Sequence, residues 1–183
     1  ETEIAARRQI IIPRKGVLEL QGLFEAGEGL VELELGRNHV RVRRGSVTFT
    51  SKLIDGRFPD YEAVIPIGAD KDIQVGREEL RFALQRAAIL SNEKYRGVKL
   101  EVNPNRLRIV AHNPEQEEAV EELEVTTSVS DLSVGFNVNY LMDALAALSG
   151  DEVVLSLRDA QSSCLLRKVG SDDTRHVVMP LRL

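Results

Sequence analysis

The sequence predicts an α+β fold of repeated β-α-β-β-β units, with helices on one face of small antiparallel sheets. Three segments, residues 9–24, 72–87 and 131–148, open alike, with an alternating apolar stretch, a proline or glycine, and then a helix-period pattern. Their starts are spaced by roughly 60 residues, which indicates an internal repeat. Each opening is followed by three short alternating stretches that are typical of half-buried antiparallel strands.

The elements of each repeat follow from where period two changes to period 3.6. This change predicts helix starts after Ile12-Pro13, Val75-Gly76 and Val134-Gly135. The strands predicted after the first helix are "LVELELG", "HVRVRR" and "SVTFTSKL", and after the second "GVKLEV", "RLRIVAH" and "EEAVEELEVTTS". After the third helix they are "DEVVLSL", "SSCLLRKV" and "RHVVMPLRL". Turn residues join them, as in Asn103-Pro104-Asn105.

Pairing of the repeats predicts the domain organisation. One helix on a small sheet buries little apolar surface, so the units are expected to pair into domains. We predict that residues 62–183 form one complete domain. Residues 1–61 are predicted to be the second half of another, whose first half is expected before Glu1. Residues 53–72 are interpreted as an extended connector, with a plain surface loop as the alternative.

The second predicted helix carries an apolar stripe. Leu80, Leu84, Ala87 and Ala88 fall on one face and are expected to cover the sheet. The pair Ile89-Leu90 follows the stripe, and the pattern alone leaves open whether this pair is core or an exposed apolar pair awaiting a neighbour.

Charge is unevenly distributed along the chain. The net charge is -5, from 24 Lys and Arg against 29 Asp and Glu, which disfavours a protein that grips DNA by bulk charge. The helical segments are locally basic, and residues 113–125 are strongly acidic. Ordinary solvated helix faces explain the basic pattern, and a weak phosphate-facing surface is the functional alternative.

The sequence offers no catalytic constellation. The histidines His39, His112 and His176 are isolated and lack metal-ligand spacing, and Cys164 is interpreted as a buried structural thiol. We therefore predict a non-enzyme with no metal site and no cofactor. A single cysteine, with no apolar run of membrane-spanning length and no leader, indicates a cytoplasmic protein.

Several long stretches resemble one known family. They are "IIPRKGVLEL", "FTSKLIDGRFPDY", "RAAILSNEKYRGVKL", "HNPEQEEAVEELEV", "GFNVNYLMDAL" and the terminal "VVMPLRL". The chain resembles the C-terminal half of the bacterial sliding clamp, the beta subunit of DNA polymerase III. The resemblance implies a DNA replication processivity factor, a homodimeric ring that encircles duplex DNA without reading its sequence. It also implies that short linear motifs recruit partners, namely the polymerase III catalytic subunit, the clamp loader, other polymerases and repair proteins.

The resemblance also implies the positions of functional residues. The candidate DNA-facing residues are Arg14, Lys15, Arg81, Arg86, Lys94 and Arg96. Ile89 and Leu90 match the apolar pair at the joint between subunits. The candidate motif pocket comprises Pro59, Val64, Asn137, Tyr140, Ser163, Val177, Val178, Met179, Pro180, Leu181, Arg182 and Leu183. Ala63 stands where some clamps carry an arginine, and Gln161 where some carry a valine, so the motif preference is left open.

Two other function classes are weighed against a clamp. A pure protein-interaction scaffold would share the repeats without any role on DNA. A nucleic-acid-modifying enzyme would need an acidic or metal-binding cluster, which the sequence does not offer. The sequence does not indicate which partners bind, or whether a chain of this length forms dimers.

Overall fold

The computed structural model describes residues 8–24, 29–58 and 60–182. It divides into two compact units, Glu1–Pro59 and Asp60–Leu183. Across the described residues, no helix is both long and apolar enough to cross a membrane.

The described residues of the first unit form one helix and one antiparallel sheet. Its elements are α1 (Arg14–Leu23), β1 (Glu32–Leu35), β2 (His39–Arg44) and β3 (Val47–Lys52). The sheet order is β1-β2-β3. Pro13 precedes the first helical residue, where its fixed φ suits a helix start and its missing N–H costs nothing. The predicted helix start after Ile12-Pro13 is confirmed.

The strand predicted before α1 does not form. Residues 8–13 carry no strand, although Ile10, Ile11 and Ile12 are β-branched residues that favour strands. A strand needs a hydrogen-bonding partner along its length, and here the described residues supply only the Ile54 N–H to the Ile11 carbonyl, at 2.9 Å.

The second unit contains two further repeats. They comprise β4 (Lys71–Gly76), α2 (Arg77–Ile89), β5 (Gly97–Asn103), β6 (Arg106–His112) and β7 (Glu118–Glu124), then β8 (Leu132–Asn137), α3 (Val138–Ala147), β9 (Glu152–Leu157), β10 (Cys164–Lys168) and β11 (Arg175–Val178). A 3-10 turn, Glu62–Val64, precedes them. All nine strands predicted after the three helices are present.

The two repeats exchange their first strands. The sheet orders are β11-β10-β9-β4 and β7-β6-β5-β8, all antiparallel. Thus β4 of one repeat pairs with β9 of the other, and Ile73 lies opposite Leu155. In return β8 pairs with β5, and Phe136 lies opposite Val98. Each repeat therefore completes the sheet of the other, which makes the pair one folding unit.

Two isolated bridges join the edges of these sheets. At the first, Gln74 and Thr126 exchange backbone hydrogen bonds of 3.0 and 2.8 Å. At the second, the Leu181 N–H donates to the Gly135 carbonyl at 2.8 Å. The C-terminal segment after β11 is thereby fixed to the edge of the other sheet.

The core lies between the two helices and the two sheets. Leu80, Leu84 and Ala87 are buried as the stripe predicts, and Ala83 is buried as well. Phe136 and Leu155 contribute fully buried side chains from the facing sheets. Burial of apolar surface is the main stabilising term of such a fold.

The predicted start of the third helix is wrong by two residues. Gly135 remains in β8, opposite Lys99, and the helix begins at Val138. The reason is the cap, because the Asn137 side-chain carbonyl accepts a hydrogen bond from the Asn139 N–H at 2.9 Å. An asparagine in this role is a strong helix-start signal.

Candidate functional site

A cleft lies where the 3-10 turn, the loop between β9 and β10, and the C-terminal segment meet. Its volume is about 290 Å³. It is lined by Ala63, Val64, Ile65, Pro66, Ile67, Arg158, Ser162, Ser163 and Met179. Three sequence-predicted residues, Val64, Ser163 and Met179, are thus brought together.

Hydrogen bonds hold the walls of this cleft in place. The Ser163 hydroxyl donates to the Val64 carbonyl at 2.9 Å, which ties the β9–β10 loop to the 3-10 turn. Within that loop, Asp159 accepts from the Ser162 hydroxyl at 2.7 Å and from the Gln161 N–H at 2.9 Å. The Ser162 hydrogen bond, then that from Arg158, hold the pKa of Asp159 well below its ordinary value. The carboxylate therefore stays ionised and keeps the loop closed.

The exposed surface of the cleft is apolar with one cation. Val64 is 44% exposed, Ile67 87% and Met179 61%. Arg158 lies at the edge and pairs with Asp159 at 2.9 Å. Such a surface can bind a short extended peptide by its apolar side chains and orient it by a few polar contacts. In the described ranges no three His, Cys, Asp or Glu side chains are grouped as metal ligands would be.

Other residues predicted for the pocket are distributed around the cleft. Val177 is half-buried, and Val178 is 5% exposed and lies opposite Cys164 in the core-facing register of β11. Strand alternation turns the Val178 side chain into the core, so it does not line the cleft. Pro180 is half-buried. Pro59 and Leu183 lie outside the described residues.

Two predicted pocket residues lie at the start of α3, Asn137 as its cap and Tyr140 within its first turn. Asn137 caps this helix and its amide also donates to the Tyr95 carbonyl at 3.1 Å, so its polar atoms already hold the backbone. Tyr140, three residues later, is 61% exposed. Neither residue lines the 290 Å³ cleft.

The two residues of the apolar pair at the end of α2 differ in their exposure to solvent. Ile89 is 77% exposed, whereas Leu90 is half-buried. The exposed alternative therefore holds for Ile89, which leaves an unpartnered apolar side chain at a helix end.

Two of the candidate DNA-facing cations are held by carboxylates. Arg81 donates to Glu78 at 2.9 and 2.7 Å, and Arg86 donates to Glu121 at 2.8 and 2.6 Å. Hydrogen bonds from these arginines lower the pKa of Glu78 and of Glu121. Each pair is locally neutral, which weakens its attraction for phosphate.

The other four candidate cations form no ion pair among the described residues. Arg14 and Lys15 are exposed at the start of α1. The Lys94 ammonium lies 5.2 Å from the centre of the Tyr95 ring. Arg96 reaches the Ala88 carbonyl at 3.5 Å and has a φ of 48°.

Sequence reasoning missed part of the cleft. Arg158 and the run Ile65-Pro66-Ile67 line it, yet neither belongs to a periodic element. The available signal was the proline within an apolar run of the connector, which marks an extended, exposed segment.

Family models and related sequences identify the same family for this chain. The family model for the DNA polymerase III beta subunit, C-terminal domain, matches residues 62–182, and the model for its central domain matches residues 1–60. The Beta sliding clamp of Pseudomonas putida is 52% identical over 177 residues, covering 97% of this chain and 48% of that protein. That of Escherichia coli K12 is 48% identical over 174 residues, covering 95% and 48%.

Solved structures agree with the sequence comparisons. A sliding clamp from Pseudomonas aeruginosa crystallised with a ligand is 49% identical, has a TM-score of 0.90, and covers 98% of this chain and 49% of that chain. A Pseudomonas aeruginosa clamp bound to griselimycin gives a TM-score of 0.89 at 49% identity, with 98% and 48% covered. The chain spans about half the length of these relatives. Matched by two domain models of one subunit and by its solved structures, the chain belongs to the DNA polymerase III beta subunit family of sliding clamps.

Proposed function

We propose that the protein acts as a replication processivity factor, a ring that encircles duplex DNA and tethers the replicative polymerase in the cytoplasm. The observation that carries this is the fold match, a TM-score of 0.90 at 49% identity over 98% of the chain. The role is non-catalytic. The ring is a homodimer, residues 62–183 are its last domain, and residues 1–61 are half of its middle domain.

The ion pairing of the candidate DNA-facing residues favours a ring that slides along DNA over a protein that binds DNA tightly. Each neutralised phosphate strengthens binding and its dependence on salt, so a sliding ring needs few close phosphate contacts. Arg81 and Arg86 are neutralised by their carboxylates, whereas Arg14, Lys15, Lys94 and Arg96 remain to attract the duplex weakly. We place these residues on the DNA-facing side.

The cleft supports recruitment of partners by short motifs. We propose that Val64, Ser163 and Met179 form its base, with Tyr140 and the C-terminal segment extending it. Some clamps carry an arginine where this chain has Ala63, and here Arg158, paired with Asp159, lines the same cleft and contributes its N–H donors. The motif-bearing partners are the polymerase III catalytic subunit, the clamp loader, other polymerases and repair proteins.

The family resemblance implies partner motifs of a glutamine followed by leucine and phenylalanine, and calorimetry with a peptide carrying this motif tests the cleft. Val64→Glu puts a charge on an apolar wall, so we expect at least about tenfold weaker binding, or 1.4 kcal/mol. Ile54→Glu is the matched control, because Ile54 is 50% exposed in the first unit and is expected to leave affinity unchanged. Deletion of residues 179–183 should abolish binding. Unchanged affinity in Val64→Glu and in the deletion would reject the assignment.

Retention on circular DNA tests the ring, in a protein with the full length of its relatives. We expect that protein to stay on nicked circular DNA and to be lost when the circle is linearised. Equal loss from both forms would favour a protein scaffold, and cleavage of the DNA by the purified protein with Mg²⁺ would favour an enzyme.

Ile89 and Leu90 are proposed to form the subunit joint. Changing both to Ala in the full-length protein should give monomers with an intact fold, since Ile89 is 77% exposed and contributes little to the core. Dimers that persist in analytical ultracentrifugation would contradict this.

A further inference from the structure

A second and larger cavity lies beside the C-terminal segment. Its volume is about 520 Å³, within the range of ligand pockets and above the 290 Å³ of the cleft. Tyr95, Val110 and Leu181 provide apolar walls, and Lys99, His112 and Arg182 lie at the rim. We call this cavity the tail recess.

Strand register places the tail recess on the face of the sheet that points away from the core. Lys99 lies opposite Val110 on one side and opposite Gly135 on the other, and the Gly135 carbonyl holds Leu181. Its neighbours Val98 and Leu100 point into the core. Val110 is nevertheless only 2% exposed, so an apolar floor lies within an otherwise charged outer surface.

The rim gives the tail recess a cationic character. Arg182 is exposed and has no ion-pair partner in the part of the chain that the structure describes. Lys99 is already satisfied by Glu101 at 2.6 Å, and His112 lies 3.8 Å from Glu118. Arg182 is therefore the rim cation that is available to an incoming carboxylate.

The tail recess and the cleft are lined by neighbouring residues of the C-terminal segment. Met179 lines the cleft and Leu181 lines the recess. Two residues span at most about 7 Å. A peptide seated in the cleft can therefore reach the tail recess with a few further residues.

From this geometry we infer that the tail recess binds the segment that flanks the motif in a partner peptide, through one apolar or aromatic side chain next to a carboxylate. The apolar side chain occupies the floor at Val110, Tyr95 and Leu181, and the carboxylate pairs with Arg182. This rests on the proposed function of the cleft. A partner would then gain affinity from its flank as well as from its motif, which allows partners with the same motif to be ranked.

Three peptides test the inference on the 183-residue chain. One carries only the glutamine, leucine and phenylalanine motif, and the other two add Gly-Gly-Phe-Glu at the amino end or at the carboxyl end. We expect one of the extended peptides to bind about tenfold more tightly, because one further side chain is buried against a partly offsetting ordering cost. Changing its Glu to Gln should remove part of the gain.

Three substitutions test whether the gain in affinity of the extended peptide arises in the tail recess. Tyr95→Ser should cancel it, since Tyr95 is 54% exposed and its loss removes a wall without disturbing the core. Phe82→Ser is the matched control, because Phe82 is 47% exposed on α2 and outside the recess, and the gain should survive there. Arg182→Ala should make the Glu and Gln extensions bind equally.

The outcomes separate the two proposals. If the unextended motif peptide fails to bind, the proposed function of the cleft fails. If the motif peptide binds but neither extension raises its affinity, the tail recess does not bind the flanking segment. The same conclusion follows if the gain survives Tyr95→Ser. In both cases the proposed function of the cleft is unaffected.

Discussion

The two bridges that join the sheets of residues 60–182 occupy equivalent places but have different surroundings. At the first bridge, Val154 of β9 lies opposite Gln74 and opposite Arg167, and the nearby cavity is lined by Glu79, Glu124 and Glu152. At the second, Lys99 of β5 lies opposite Gly135 and Val110.

The difference between the two bridges shows whether closure of the sheets requires apolar residues. Arg167, which stands where the other repeat has Val110, pairs with Asp72 at 3.5 Å and with Asp172 at 3.7 Å. Thr126, at the place of Leu181, is exposed. A polar joint therefore closes the sheets as well as an apolar one, so the apolar walls of the tail recess are not needed for closure.

The strand exchange gives the largest expected effect. Phe136→Ala in β8 should cost about 3–5 kcal/mol of the free energy of unfolding, and Ile73→Ala in β4 about 2–5 kcal/mol, because both side chains are fully buried. Each strand completes the other repeat's sheet, so each variant should unfold in one cooperative transition in urea, monitored by circular dichroism. Separate transitions for the two sheets would contradict the exchange as a single folding unit.

A carboxylate placed at each bridge compares the two joints directly. Leu181→Asp should cost about 1–2 kcal/mol, because it exposes the apolar wall of the tail recess and places a charge against Val110. Thr126→Asp should change the free energy of unfolding by less than about 0.5 kcal/mol, since the side chain is exposed. Equal costs in urea denaturation would show that the joints do not differ energetically.

The sequence predicted the repeats, their strands and the helices because those depend on local periodicity. It did not predict which sheet each first strand joins. Ile73 and Phe136 alternate in the same way whichever partner they face, and the choice depends on pairing between distant residues. The start of α3 was missed because Gly135 looked like a breaker while Asn137 supplied the cap.

The candidate site was predicted only in part, and not from periodicity. Val64, Ser163 and Met179 came from the family resemblance, and the structure brings them together. The ion pair of Arg86 with Glu121 and the cleft position of Arg158 join elements that are remote in sequence or irregular in structure. No periodicity encodes such contacts, so a pattern of charges alone left the helix faces undecided.

Acid should weaken the second joint through Glu101. Hydrogen bonds from Lys99, first, and then from Arg108 hold the pKa of Glu101 below its ordinary value. The folded state therefore binds this proton less readily, so the contribution is present above about pH 4.3 and is lost as the pH falls through the folded-state pKa.

The change that tests this is Glu101→Gln. The variant should be less stable at pH 7 by under about 1 kcal/mol, since the group is partly exposed, and the difference should shrink toward pH 3. Urea denaturation across that range measures it, and Lys99→Ala should reduce the same pH-dependent difference. A difference that grows in acid would contradict the sign.

The turns between helix and strand give the smallest effect. In the repeat that begins with β4, Arg96 precedes β5 and has a φ of 48°. In the repeat that begins with β8, Gly150 precedes β9 and has a φ of 94°. Glycine adopts such angles without steric cost. Arg96→Gly relieves strain but loses the weak bond to the Ala88 carbonyl, so the free energy of unfolding should change by less than about 0.5 kcal/mol.

The matched variants are Arg96→Ala, which keeps its Cβ at a left-handed angle but loses the bond to Ala88, and Gly150→Ala, which adds a Cβ there, 2.9 Å from the Lys168 Cε. Each should cost about 1 kcal/mol in thermal or urea unfolding. If Arg96→Gly is neutral in stability yet weakens retention of the full-length protein on circular DNA at low salt, the arginine is kept for its charge. Unchanged retention would remove Arg96 from the DNA-facing set, and the repeats would then differ at this turn without a functional reason.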